Sequence, residues 1–446
     1  MHFSKLVPTI TIITCYAGVF AIPTASTPKV VSLPYVKHHK WGHIHPEQLK
    51  KRGHVNDPII NNDYDQPYNY LTKFSVGTPP QLMEFSIDTG SSEIYMFDPA
   101  TCASIDCTGG VGFNKAKSTT FHDLNQHVEF DYGDGSIGVS GGYFKDNVLI
   151  GGVTISQYQM ALMNHSIGGL DTQIMGLSGN VGSQTYRVLP QYMADQGITQ
   201  SAAYAVYMGD VRTPGGNLTF GGYDSSKVSG KMYTTPWHPT NNGGANPVIT
   251  ALWINDTTPG FVGRTSLTSI TYPYQANLDC GEQFTIFPSD IYDQVMTHFG
   301  FCQQSNFVWC DSLTRQGEFQ FQIQGSGGIT INVPFSQFYL PVLNPDGTPS
   351  TQIRNGVPAA VCFFGVQRGD DINAGYFNLG DPFLRGAVVI YDADRNQAAF
   401  GQAAYNVSES KSNIVEINKS GNLLGQATLS TIPWATPTKS YAPTCF

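Results

Sequence analysis

From Tyr70 onward, apolar and polar residues alternate in short runs separated by Gly, Pro and Asn. The runs 71–76, 128–132 and 387–391 are typical, and a period of two marks strands with one face buried. Their density predicts a mostly-β chain. Helical periodicity is brief, around 189–196 and 290–299. At the start, His2 and Lys5 precede an apolar run, 6–21, that closes on Val19-Phe20-Ala21. This reads as a secretory signal peptide, 1–21. No later stretch reaches the ~18 consecutive apolar residues of a membrane helix. The tail lacks the hydrophobic end of a glycolipid signal. No membrane anchor is expected.

Within this pattern one strand ends on a carboxylate followed at once by a tight turn: Phe85-Ser86-Ile87-Asp88-Thr89-Gly90-Ser91-Ser92. A degraded copy follows at Asn277-Leu278-Asp279-Cys280-Gly281-Glu282. Each copy is trailed by a glycine behind a largely apolar pair, Ile174-Met175-Gly176 and Asn378-Leu379-Gly380, with Asn378 the exception. Duplication of this kind predicts two related lobes around a cleft. The Pro/Asn/Gly-rich stretch 236–247 is the natural boundary. The expected layout is a signal peptide (1–21), a propeptide (22–52), an N-terminal lobe (53–240), a C-terminal lobe (241–405) and a mobile Ser/Thr/Pro-containing tail (406–446).

Two aspartates on matched turns are a recognisable chemical arrangement. Carboxyl groups held close cannot both ionise cheaply, so they share a proton and titrate as a unit. The ionised member can take a proton from water while the protonated one donates to a carbonyl under attack. Such chemistry requires neither metal nor cofactor, and none is expected.

Composition sharpens the picture. Charged residues are only 13%, against ~25% in an ordinary soluble domain. The leader is basic: Lys5, Lys29, Lys37, Lys40, Lys50, Lys51 and Arg52 stand against Glu47 alone. The remainder therefore holds 17 basic and 32 acidic residues, a formal charge of −15. An acidic body repels polyanions, which excludes nucleic acid as an expected partner. Lys50-Lys51-Arg52 before Gly53 is a processing site for a secretory-pathway endoprotease. The leader also carries His38, His39, His43 and His45, and it is expected to lie in the acidic cleft until pH releases it. Eight cysteines include Cys15 in the signal. Cys102 and Cys107 can close a small loop, and Cys310 and Cys362 a longer one. Cys280, Cys302 and Cys445 remain, so at least one thiol is free or paired between chains. Sequons stand at Asn164, Asn217, Asn255, Asn406 and Asn418.

Over roughly 68–405 the chain resembles the pepsin-like aspartic proteases, in particular fungal secreted enzymes similar to penicillopepsin. The resemblance rests on Val76-Gly77-Thr78-Pro79-Pro80-Gln81, the Asp88–Ser92 string, Tyr132-Gly133-Asp134-Gly135-Ser136, Leu218-Thr219-Phe220-Gly221-Gly222-Tyr223-Asp224, and Leu379-Gly380-Asp381-Pro382-Phe383-Leu384-Arg385. It implies an all-β bilobal acid-protease fold with a catalytic pair, Asp88 and Asp279. Thr89 would lock the turns together and Ser91 would bond Asp88. Gly90 and Gly281 would leave room for substrate backbone. Tyr132 to Ser136 would form a mobile flap, and Asp134 there implies acceptance of Lys before the scissile bond.

The second turn departs from the family pattern: Cys280 and Glu282 replace hydroxyl residues, and Gln283 follows. A thiol bonds weakly, and Glu282 adds a third carboxylate near the pair. Tyr95 stands where the family usually has Trp. The expected activity is an acid endopeptidase, monomeric, secreted or alternatively vacuolar, cutting polypeptides between bulky apolar residues. A weakened cleft that binds peptides or inhibitors, or a cell-wall scaffold using the fold alone, remains the alternative.

Overall fold

The computed structural model describes residues 30–39, 68–132, 136–179, 186–212, 215–236, 246–267, 273–301, 307–324, 328–342, 344, 348–369, 376–405, 407, 411–420 and 423–425. The described chain is mostly strand. Its longest helix, Ser289–Phe299, turns Ile291, Tyr292, Val295, Met296 and Phe299 inward. A second short helix, Leu189–Asp195, occupies the other stretch of helical periodicity.

Each half repeats one device. Strand Gln81–Asp88 runs parallel to Ile174–Gly176, pairing Ile87 with Met175 and Asp88 with Gly176. Strand Tyr274–Leu278 runs parallel to Tyr376–Leu379, pairing Asn277 with Asn378 and Leu278 with Leu379. Strands covered on both faces are largely apolar, and Phe85, Ile87, Ala276 and Leu278 are fully buried. The glycines behind the apolar pairs are required by crowding. A Cβ on Gly176 would lie 2.5 Å from the Glu93 nitrogen, and one on Gly380 2.1 Å from the Phe284 carbonyl oxygen.

A thirteen-stranded sheet joins the halves. Its order places Val228–Pro236, Gln397–Ala403, Ala387–Asp392, Ala203–Tyr207, Gly215–Phe220, Val31–His39 and Tyr68–Val76 side by side. Strands from both ends of the chain thus form one platform, and a separate eight-stranded sheet carries the second aspartate strand.

Two expectations need correction. The described part of the leader, Val31–His39, is not in a cleft. It pairs antiparallel with Gly215–Phe220 on one side and with Tyr68–Val76 on the other. Val31, Leu33 and Tyr35 alternate into the core, a period-two pattern that pays off only inside a sheet. The Tyr35 hydroxyl donates to the Tyr207 carbonyl, and its ring meets Tyr70 edge-on at 5.6 Å. The side chains of His38 and His39, and all of His43 and His45, lie outside the described residues. The tail is likewise partly anchored. Ile414–Glu416 pairs with Gly222–Asp224, Asp224 accepts from Ser412 Oγ (2.9 Å) and Asn413 N (2.8 Å), and Ile417 and Leu423 are buried.

Cys102 is bonded to Cys107 and Cys310 to Cys362. Cys280 is a free, buried thiol, and Cys302 and Cys445 lie outside the described residues. Asn164 and Asn418 are exposed, whereas Asn217 and Asn255 are half-buried on strands and Asn406 is outside the described set. Among the described residues no helix is long and apolar enough to cross a membrane.

Candidate active site

The two strand-end aspartates meet. A Cβ placed on Gly90 would lie 2.5 Å from Asp279 Oδ2, and one on Gly281 would lie 2.6 Å from Asp88 Oδ1. Each carboxyl therefore abuts the glycine of the opposite turn, so any side chain at either glycine would displace an aspartate. That is a steric reason for glycine at both positions, independent of substrate.

The turns are tied to each other through Thr89. Its hydroxyl donates to the Leu278 carbonyl (2.9 Å) and accepts from Cys280 N (3.0 Å). Cys280 answers from the other side, its thiol donating to the Ile87 carbonyl at 3.5 Å. The lock expected from a pair of hydroxyls is thus complete on one side and rests on a weak S–H donor on the other. Burial, then the nearby Asp88, raises the Cys280 pKa well above its ordinary value. The thiol stays neutral and is a poor nucleophile.

The two carboxyls are hydrogen-bonded unequally. Asp88 Oδ1 accepts from Gly90 N (2.7 Å) and Ser91 N (3.2 Å), and Asp88 Oδ2 accepts from Ser91 Oγ. Asp279 Oδ1 accepts from Gly281 N (2.9 Å), and its Oδ2 has Asn378 Nδ2 at 3.5 Å. Burial, then Asp88, then Glu282 push the Asp279 pKa well above the usual carboxylate range. The two carboxyls titrate as a unit.

The expected flap is the hairpin of His122–Tyr132 and Ile137–Ile150, with Tyr132 opposite Ile137. Tyr132 packs against the buried cluster that contains Tyr95, as do Phe130 and Leu170. Burial raises its pKa, as does the charge of Asp88. Tyr95, in place of the family's Trp, is fully buried and supports Tyr132 by packing. Ser136 is exposed. Gly133, Asp134 and Gly135 lie outside the described residues.

Two further polar groups that the sequence does not single out are a glutamate just after the first turn and an asparagine in the second aspartate strand. Glu93 is held by the Tyr143 hydroxyl, which donates to Oε1 at 3.2 Å, and burial raises its pKa to about 7. Asn277 donates through Nδ2 to Asn378 Oδ1 at 3.1 Å. The sequence signal was a polar residue within an apolar strand, visible at both 277 and 378. Glu282, anticipated as a third carboxylate, also has its pKa raised to about 7, mainly by burial. No cluster of three or more His, Cys, Asp or Glu suited to a metal occurs among the described residues.

A family model described as eukaryotic aspartyl protease matches residues 69–403. The chain is 28% identical over 403 residues to a protein of Arthroderma benhamiae named probable aspartic-type endopeptidase OPSB, covering 86% of this chain and 78% of that one. It is 30% identical over 353 residues to an acid protease of Saccharomycopsis fibuligera, covering 78% and 83%. Against secreted aspartic protease 8 of Candida albicans it is 29% identical over 376 residues, 82% of each chain.

Proposed function

The chain belongs to the eukaryotic aspartyl proteases, and on that premise we propose that Asp88 and Asp279 hydrolyse polypeptides in acid by activating one water between them. The observation that carries this is the crossed placement of each carboxyl against the opposite glycine. With the shared proton on Asp279, the Asp88 carboxylate takes a proton from the water. The oxygen attacks the peptide carbonyl carbon as Asp279 gives its proton to the carbonyl oxygen. The resulting gem-diol returns a proton to Asp279 as its carbonyl re-forms. Asp88 passes its proton to the leaving nitrogen, and the C–N bond breaks. Thr89, Cys280 and Ser91 hold the two carboxyls in place.

An extended substrate suits a cleft edged by the flap hairpin, since main-chain bonds to a strand edge bind chains of many sequences. Aromatic and aliphatic side chains at the flap base, Phe130, Tyr132 and Leu170, favour bulky apolar residues beside the cut bond. Asp134 adds acceptance of Lys through charge pairing. The reading as an inactive binding or scaffold protein is not favoured, because the relatives named above are all named as proteases.

We also infer a secreted precursor, monomeric, processed after Arg52 and bearing glycans first at the exposed Asn164 and Asn418. The leader's described strand is built into the platform sheet, and residues 40–52 lie outside the described set.

The test is cleavage of a denatured protein mixture by the form processed after Arg52, between about pH 2.5 and 7, with Asp88→Asn and Asp279→Asn controls. Acid activity that drops by roughly 10²–10⁴-fold or more in both variants is expected. Equal activity in either variant would refute the assignment.

A further inference from the structure

We propose that Asn378 is the positioning residue for Asp279, supplying from a neighbouring strand the donor that the second turn has lost. The inference rests on the catalytic pairing above and concerns how one member of the pair is held.

The two turns invite direct comparison. In the first, the residue three beyond the aspartate is Ser91, whose hydroxyl donates to Asp88 Oδ2. In the second, the same offset is Glu282. Its Oε1 is engaged by Phe284 N at 3.1 Å, so the side chain bends back along its own segment. Asp279 Oδ2 would then lack the partner that Asp88 Oδ2 enjoys.

The neighbouring strand makes up the difference. Asn378 occupies, in the second half, the place that Ile174 has in the first: Ser86 pairs with Ile174, and Asn277 with Asn378. Its Nδ2 stands 3.5 Å from Asp279 Oδ2. Its Oδ1 accepts from Asn277 Nδ2 at 3.1 Å, which fixes the carboxamide with its NH₂ toward the aspartate. Asn277 is itself buried. The half that lost a hydroxyl at 282 is thus the half that carries a carboxamide at 378, backed by a second at 277. A contact of 3.5 Å is long for a hydrogen bond, and such bonds tighten when substrate closes the site. A donor to Oδ2 fixes the plane of the carboxyl and favours its ionised form, against the burial and neighbouring charges that oppose ionisation.

The test is a mutant cycle at 378 and 282, with kcat and KM on a peptide substrate across the acid range. Asn378→Ile, which copies the first half, should lower kcat about tenfold with KM nearly unchanged. It should also move the kcat profile to higher pH. Asn378→Leu keeps roughly the size, loses the donor and should show the same loss, which covers the case in which the isoleucine variant does not fold. Adding Glu282→Ser to either variant copies the first turn and should restore most of kcat and return the profile. Three results would overturn the proposal. One is an unmoved profile in both Asn378 variants. Another is full activity in either. The third is a loss in folded protein that Glu282→Ser fails to recover, since packing alone would not be repaired by a hydroxyl at 282. Failure of the catalytic reading itself would show separately, as activity surviving Asp88→Asn and Asp279→Asn.

Discussion

The carboxyls of Glu93 and Glu282 should make this protein most stable in acid and weaken it as the medium becomes neutral. Both have pKa values raised from 4.5 to about 7, with burial as the largest cause. In the unfolded chain they titrate near their ordinary value, ~4.3. Between these limits the folded state holds protons that the unfolded state has released, so stability falls as pH rises. The contribution is fully present below about pH 4.5 and is lost as pH climbs through about 7. At about 1.4 kcal/mol per pH unit, the interval corresponds to roughly 3 kcal/mol for each group, somewhat less because both side chains are only half-buried. Together they reach about 5 kcal/mol, comparable to the whole net stability of a modest domain. Asp279, also raised, acts in the same direction. The perturbation is Glu93→Gln with Glu282→Gln, which fixes both groups in their uncharged shape. Urea unfolding at about pH 4 and pH 7.5, in an Asp88→Asn background to prevent self-digestion, gives the comparison. The parent should lose about 5 kcal/mol or more between the two conditions, and the double variant should retain most of it. An equal loss in parent and double variant would refute the reasoning, because the drop would then come from other groups.

Other outcomes follow from the same geometry. Cys280→Thr replaces the weak thiol donor to the Ile87 carbonyl with a hydroxyl and should stabilise the protein by roughly 0.5–1 kcal/mol in the same urea assay; a net loss would show that the thiol's packing matters more than its bond. Asp134→Ala should lower the efficiency on peptides with Lys before the cut bond about tenfold relative to those with Leu, and unchanged relative efficiency would remove Asp134 from substrate selection. Tyr35→Ala should destabilise the unprocessed chain by roughly 3 kcal/mol, since a buried aromatic is lost from the core; an unchanged urea midpoint would show that the leader strand contributes nothing to the platform sheet.

The sequence carried much of this in plain view. The Asp88–Ser92 string after an apolar strand located the first turn, and the glycines behind apolar pairs located the strands beside both turns. Gly176 and Gly380 explain why: a motif is legible when crowding leaves one residue type that fits. The leader strand was not legible. Val31, Leu33 and Tyr35 give only three alternating positions inside a basic segment, and their partner at Gly215–Phe220 is remote along the chain. Glu93 is not legible either, because a carboxylate after a Ser-Ser turn looks solvated until Tyr143 and the surrounding core close over it.

The second turn holds the most consequential difference between chain and fold. Read along the chain, Asp-Cys-Gly-Glu looks like a damaged copy, since both positions that should carry hydroxyls lack them. Read across the sheet, each vacancy has an answer. The Cys280 thiol still reaches the Ile87 carbonyl, and Asn378 stands where a donor to Asp279 is missing. A comparison made position by position could register Asn378 only as a lapse in an apolar pair, because what gives it meaning is the parallel register that sets it beside Asn277, two residues before the aspartate. The halves have kept a common backbone and diverged in the side chains that address the carboxyls. Departures from a motif in this fold must therefore be judged against the adjacent strand before they are counted as losses of activity.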